Sequence, residues 1–324
     1  MPFKHNASRR HRIPKVRRRV TNWPVYEAGL RRRGDLTFWL DEAALLGWVA
    51  PRRTTRGGQP LYSDVAIELV LTLRLVFHLA LRQAEGFARS VLRLLGLNLR
   101  VPDHSTLSRR GRGFARRQPR AARHDGAVHV VLDSTGLQVF GQGEWDAEKH
   151  GRTPRQWRKL HLAIDAATGE IVAHVLTDKD VGDISAVPRL LATVEGPIGS
   201  VIADGAYDGA SVYEAASIRQ HDPPADIVIP PRASSVLDTD VTTPLTVRNR
   251  HVQLIAEKGR MAWQKATGYG RRSRVETAIG RYKHIIGPKL RARSSSGQQS
   301  EVAIAVQVLN RMIRIAKPIS VRLV

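Results

Sequence analysis

Apolar positions recur at helical spacing through the first third of the chain. From Leu36 to Val49 the residues Leu36, Trp39, Leu40, Ala43, Ala44 and Leu46 mark one face of a helix behind a capping Asp35. Ser63 caps a second stretch running to about Leu81, and a third spans about Gln83 to Leu95. After the break at Gly96 and Pro102, Asp103 caps a fourth through about Arg116. Past His124 the pattern shortens. Val128 to Leu132 reads as a strand and Gly136 to Phe140 as another after a tight turn. Leu160 to Ile164 and Ile171 to Leu176 read as a hairpin around Thr168 and Gly169. Helix and strand then alternate. Asp183 caps a helix to about Val194, and Ser200 to Ala203 is a strand. Asp208 caps a helix to about Arg219, and Ile227 to Ile229 is a strand. Arg274 to Ile286 and Gln299 to Ile315 close the chain as helices.

Three antiparallel-looking strands followed by alternating helix and strand predict a mixed α/β domain, in the element order of the ribonuclease-H-like fold. The predicted organisation is a basic flexible arm over 1–33, a short helical segment and linker over 34–60, and a helical domain over 61–124. A mixed-sheet catalytic domain over 125–292 and a C-terminal helix over 293–324 follow.

Charge sharpens this picture. Lys and Arg number 52 against 29 Asp and Glu, a formal net charge of +23, which favours a polyanionic partner. The first 33 residues hold eleven of these cations and one acid, Glu27. Arg109, Arg110, Arg112 and Arg116 follow one another on the third helix of the block. That outline suits a helix-turn-helix-like DNA-binding domain, although a plain structural bundle shares it. The chain has no cysteine, which excludes disulfides and thiolate zinc sites. The apolar run Val65 to Leu81 contains Glu68, Arg74 and His78, so it predicts a buried helix rather than a membrane span. With no secretory signal visible, the expected location is the cytoplasm, beside the nucleoid. No phosphate-cradling or dinucleotide glycine pattern occurs.

Three carboxylates stand out. Asp133 ends Val-His-Val-Val-Leu-Asp, and Asp204 ends Val-Ile-Ala-Asp. Both are expected at the carboxyl end of a strand, where open α/β sheets place their sites, although strand-terminal aspartates also cap and turn. Glu276 is the only acid between Lys258 and Ser300, amid Arg271, Arg272, Arg274, Arg281 and Lys283. A local ion pair with Arg272, four residues earlier, accounts for it as readily as metal binding does. Converging carboxylates suit hard divalent cations, and a pair of those can drive in-line displacement at a phosphodiester.

Tyr269, Arg272, Glu276 and Lys283 stand in the pattern Tyr-x-x-Arg-x-x-x-Glu-x-x-x-x-x-x-Lys. This resembles the signature around the catalytic glutamate of DDE transposases from bacterial insertion sequences, in the branch named for insertion sequences four and five. Leu-Asp-Ser-Thr-Gly around Asp133 and Ala-Asp-Gly-Ala-Tyr-Asp around Asp204 resemble that family's two aspartate motifs. The segment Gly34-Asp35-Leu36-Thr37 to Trp39 resembles the five-type branch. The intervals between the three acids are about 70 residues each, which leaves no room for the long β-rich insertion of some four-type members.

The resemblance implies that Asp133, Asp204 and Glu276 are both catalytic and metal-binding, with two Mg²⁺ or Mn²⁺ ions. It implies that Arg272 and Lys283 grip phosphates and that Tyr269 lines a DNA-end pocket. It also implies cleavage at transposon ends, strand transfer into target DNA, terminal inverted repeats as partners, and a homodimer or larger assembly. Two alternatives stay open: a metal-dependent nuclease of the same fold without strand transfer, and a non-catalytic DNA-binding protein. Asp183 and Asp208 are expected as helix caps, and Asp178 and Asp180 as turn residues. Asp165 is expected in a turn and kept as a reserve ligand. His150, His161 and His174 are expected to be structural or DNA-contacting. Trp145, Trp157 and Trp263 are expected in packing, with base stacking the alternative.

Overall fold

The computed structural model describes residues 17–119, 126–141, 156–218, 225–232, 234–237 and 246–323. Tertiary contacts divide the chain into two compact units, Met1–Phe38 with Arg311–Val324, and Trp39–Asn310. Trp145 and His150 lie outside the described residues.

In the smaller unit, strand β1 (Arg18–Val20) pairs antiparallel with the last strand, β8 (Ser320–Arg322). Helix α1 (Trp23–Arg32) follows, with Pro24 in its first turn, where the missing N–H costs nothing. Asn22 clamps the C-terminal segment through both atoms of its amide, donating to the Lys317 carbonyl at 2.9 Å and accepting from the Ile319 N–H at 2.7 Å. Arg33 donates to the carbonyls of Met312 and Ala316. A flexible arm through residue 33 was the expectation from charge; residues 18–32 instead carry a strand and a helix. Their partner segment lies almost three hundred residues away, so no local pattern announces it.

Two short helices follow, α2 (Leu36–Trp39), which ends at the first residue of the larger unit, and α3 (Glu42–Leu46), where periodicity predicts one. The break falls at Asp41, whose side chain accepts from Ala44 N–H at 2.8 Å and restarts the helix. Helices α4 (Asp64–Val76), α5 (Leu81–Leu94) and α6 (His104–Gly111) pack on one another. The expected caps are in place: Ser63 accepts from Ala66 N–H, and Asp103 from the N–H groups of Ser105 and Thr106. Arg112–Arg116 continues α6 as a 3₁₀ turn.

The sheet holds β2 (Val128–Val139), β3 (Trp157–Asp165), β4 (Ile171–Asp178), β5 (Ile198–Ile202) and β6 (Asp226–Val228) in the order β4-β3-β2-β5-β6. The first three strands run antiparallel, whereas β5 and β6 run parallel to β2. The short β7 (Lys289–Leu290) joins the far end of β2. This is a mixed sheet in an α/β protein. Helices α7 (Asp183–Ala192) and α8 (Ala210–Ile218) cover one face, burying Val130, Leu132, Val187, Leu190, Val201 and Val212.

Helix α9 (Val247–Ala266), interrupted at Gly259, precedes α10 (Ser273–Arg281) and α11 (Ser295–Ile315). Helix α10 lies on β2 and β3 with Val275 and Ala278 buried beneath it. Asn310 of α11 closes the edge strand β4, exchanging two 2.8 Å hydrogen bonds with the backbone of Ile171.

One strand boundary differs from expectation. The pattern predicts a tight turn between Leu132 and Gly136, yet β2 passes straight through, paired to β3 as far as Gln138 with Trp157. At Gly136 the Trp157 ring stands 3.2 Å from where a Cβ would lie, so the glycine gives that ring its place on the strand.

Candidate active site

Sheet register puts the two aspartates side by side. The last parallel pair between β2 and β5 is Val131 with Ile202. Two residues further along each strand stand Asp133 and Asp204, where neighbouring strands lie about 4.8 Å apart. Alternation puts both on one face, since His129 and Ser200, on that same face, bond to each other at 2.9 Å. It is the face opposite α7 and α8. Asp133 therefore sits within a strand rather than at its end, at the point where the parallel pairing stops.

Each aspartate has one oxygen fixed by its own backbone. Asp133 Oδ1 accepts from the Ser134 N–H at 2.8 Å, and Asp204 Oδ1 accepts from the Ala206 N–H at 2.9 Å. The second oxygens face a common point. Arg272 Nη2 lies 3.3 Å from Asp133 Oδ2 and 3.4 Å from Asp204 Oδ2, while its Nη1 donates to Glu276 Oε1 at 2.5 Å. One guanidinium thus binds all three acids. The ion pair with Glu276 four residues along the chain is real, and it is one arm of this larger cluster.

Helix α10 brings Glu276 over the sheet, and the 3₁₀ turn Tyr269–Arg272 leads into it. That turn is supported from below. The Tyr269 ring tilts against Trp263 at 5.1 Å between centroids. Trp263 is fully buried, and its Nε1–H donates to His251 Nδ1 at 2.9 Å. A tryptophan N–H can only donate, so His251 Nδ1 is the acceptor and the proton sits on Nε2. That Nε2–H reaches the Ile227 carbonyl of β6 at 2.7 Å. Neither His251 nor the helix carrying it was identified from sequence, because α9 is polar and shows no clear apolar stripe.

Electrostatics follow from the crowding. Burial pushes the Asp133 carboxyl up, and the Asp204 and Glu276 carboxylates push the same way, against the Ser134 N–H and Arg272. Burial also raises the Tyr269 phenol. Burial opposes the charge on Arg272, but the surrounding acidic groups outweigh it and raise that pKa. Beneath the site, burial pushes the Tyr207 hydroxyl strongly upward, reinforced by Asp183, Asp133 and Asp204.

The remaining expected residues lie elsewhere. Lys283 is exposed on the π-helical turn Tyr282–Ile286 that continues α10. Arg109 and Arg112 are exposed at the end of α6, and Arg116 closes the 3₁₀ turn. Arg110 is spent within the protein, on Asp64 at 2.7 Å and on the Tyr62 carbonyl. Asp165 folds back on its own turn, accepting from the N–H groups of Ala167 and Thr168 and from the Thr168 hydroxyl. Asp183 is the first residue of α7 rather than its cap, which is Gly182. Asp208 does not cap α8. Its buried carboxylate takes Arg248 Nε at 2.9 Å and the Arg232 N–H at 3.2 Å. His161 and His174 are buried and structural in setting, Trp157 is partly exposed, and Trp263 is core.

Among the described residues, no three His, Cys, Asp or Glu side chains are grouped as a metal site. The donor set nevertheless fits a hard divalent cation: three carboxylates supply oxygen ligands, and a single guanidinium offsets their charge.

Residues 124–311 match a family model described as "Transposase DDE domain", and residues 31–142 match a second model of the same description. Among solved structures, the piggyBac transposase synaptic complex with hairpin DNA aligns at 12% identity and a TM-score of 0.40, over 92% of this chain and 77% of that one.

Proposed function

Because the chain belongs to the transposase DDE domain family and is thereby a DNA transposase, we propose that Asp133, Asp204 and Glu276 are its catalytic triad. The observation that carries this reading is the Arg272 guanidinium bonded to all three carboxylates, which are far apart in sequence. The strand order and mixed pairing support a ribonuclease-H-like catalytic domain over 125–292, with the helices of 61–124 as the DNA-binding domain.

Asp133, Asp204 and Glu276 would hold two divalent cations, Mg²⁺ or Mn²⁺. Such ions supply an activated water or 3′-hydroxyl and stabilise charge on the leaving oxygen. The protein's part is preorganisation. The backbone bonds to Asp133 Oδ1 and Asp204 Oδ1 aim the second oxygens at one point before any substrate arrives. Arg272 carries a planar fork that would suit a phosphate once cations hold the carboxylates it now bonds, and Lys283, on the turn that continues α10, would add a point charge. Tyr269, braced by Trp263, borders the same place. The substrates are the transposon's terminal inverted repeats and target DNA, bound by a homodimer or larger assembly beside the nucleoid. The exposed Arg109 and Arg112 support DNA contact by the helical block, with Arg116 in the same run. The motif spacing supports the five-type insertion-sequence branch. No helix among the described residues is long and apolar enough to cross a membrane.

The test uses purified protein, a pre-cleaved end duplex and Mg²⁺. Joined products are expected with wild type and absent with Asp133→Ala, Asp204→Ala or Glu276→Ala. Hydrolysis without joining would instead favour the nuclease.

A further inference from the structure

A second basic site lies away from the carboxylates. A cleft of about 340 Å³ opens between the helical block and the segment joining β7 to α11. Its walls carry Arg74 from α4, Arg112 from the end of α6, and Arg291 and Arg293 from that segment, against one acid, Glu301. Glu301 is already engaged: its two oxygens accept from the backbone N–H groups of Arg291 and Ala292 at 2.9 to 3.1 Å. It is therefore a brace for the loop more than a partner for the guanidinium groups.

The four arginines differ in what they still offer. Arg291 donates to the carbonyls of His78 and Leu79, which pins the segment to the C-terminal end of α4. Its position is thus fixed by the fold. Arg74 is largely buried, and its Nε finds no acceptor among the described residues. Burial lowers its pKa, Glu301 opposes that, and Arg291 adds to it. Arg112 and Arg293 are exposed, and their guanidinium groups make no hydrogen bond or ion pair to another described residue. Ser108 also lines the cleft, as does Gly297 in the first turn of α11, whose N–H is already turned to Ser294 Oγ at 3.2 Å.

We propose that this cleft binds a phosphate of the DNA backbone, gripped by Arg112 and Arg293 with Arg74 behind them. The proposal rests on the transposase reading and deepens it. It assigns a DNA contact shared by the helical block and the end of the catalytic region, which would fix the register of the duplex without reading its sequence. Guanidinium forks suit phosphate oxygens, and a preformed cleft spares the cost of ordering them.

The test is fluorescence anisotropy with the full chain and a labelled end duplex across a salt series. The Arg112→Gln, Arg293→Gln double variant is compared with an Arg52→Gln, Arg56→Gln control that removes equal charge from the exposed linker. Loss of one phosphate contact is expected to flatten the log–log salt slope by about 0.9 and to weaken binding roughly five- to tenfold near 0.1 M salt, while the control changes neither by as much. Equal slopes in wild type and double variant, or an equal change in the control, would overturn the cleft assignment alone. Failure of wild type to bind duplex at all would overturn the transposase reading together with it. Inorganic phosphate is the second probe. If it raises the melting temperature of wild type but not of the double variant, while duplex affinity is unchanged between them, the cleft takes a free anion and the DNA assignment is wrong.

Discussion

Replacing His251 with phenylalanine isolates the support beneath the candidate active site. The ring is kept, so little volume is lost, but both of its hydrogen bonds go. Trp263 Nε1–H and the Ile227 carbonyl then face a phenyl ring with nothing to bond. Trp263 is 0% exposed and Ile227 3%, so water cannot substitute without opening the core. A buried polar group left unpaired costs about 1–3 kcal/mol, so the two together predict a loss of roughly 2–6 kcal/mol. Urea unfolding followed by tryptophan fluorescence and by circular dichroism measures it. In domains of 150–250 residues each kcal/mol moves the melting temperature by about 2–4 °C, so a drop of at least about 4 °C is expected. Because Trp263 backs Tyr269, cleavage should also fall at temperatures where the variant is still folded. A cost below about 1 kcal/mol would refute the reasoning, since it would mean the tryptophan and carbonyl are satisfied without the histidine.

Two further outcomes follow from the fold. Burial holds His161 and His174 at a pKa of about 4, below the 6.5 of an exposed imidazole. The unfolded chain therefore takes up more protons between those values, and stability should be full above pH 6.5 and decline as pH falls toward 4. Urea midpoints measured across that window check it, and a His174→Leu variant should show the shallower dependence; an unchanged midpoint from pH 7 to 4 would contradict it. In the smaller unit, a Cβ at Gly29 would lie 2.4 Å from Ala316 Cβ, so neither backbone can yield cheaply. Gly29→Ala should cost about 1–3 kcal/mol and deprotect the Thr21 and Ile319 amides in hydrogen exchange, and wild-type protection there would count against the contact.

Much of the mixed α/β order was legible because it is local. Caps at Ser63 and Asp103, the hairpin around Thr168 and Gly169, and the alternation after Asp183 are written in neighbouring residues. What escaped reading depends on distant partners. Ser134-Thr135-Gly136 has the composition of a turn, and only pairing to β3, with Trp157 lying over Gly136, keeps it extended. The helix at Trp23–Arg32 is held by a segment near the other end of the chain, so its basic composition suggested an arm. Asp133 and Asp204 were singled out by their place after apolar runs, but their adjacency needs the parallel register of β2 and β5. The role of Arg272 was half visible: a four-residue spacing exposes the pair with Glu276, whereas the bonds to both aspartates come from the approach of α10 to the sheet. Asp208 misled because an aspartate two residues before a helix resembles a cap; the arginine that claims it is forty residues away.

The most direct test of the account is strand transfer by conservative triad variants, each shown by circular dichroism to be folded. Asp133→Asn, Asp204→Asn and Glu276→Gln keep the side-chain shapes and remove the charges. Joining of a pre-cleaved end in Mg²⁺ is expected to fall more than about 100-fold in each, beyond what loss of an outer partner costs a metal site. Any one of the three that joined DNA at close to the wild-type rate would remove that carboxylate from the reaction and contradict the shared site.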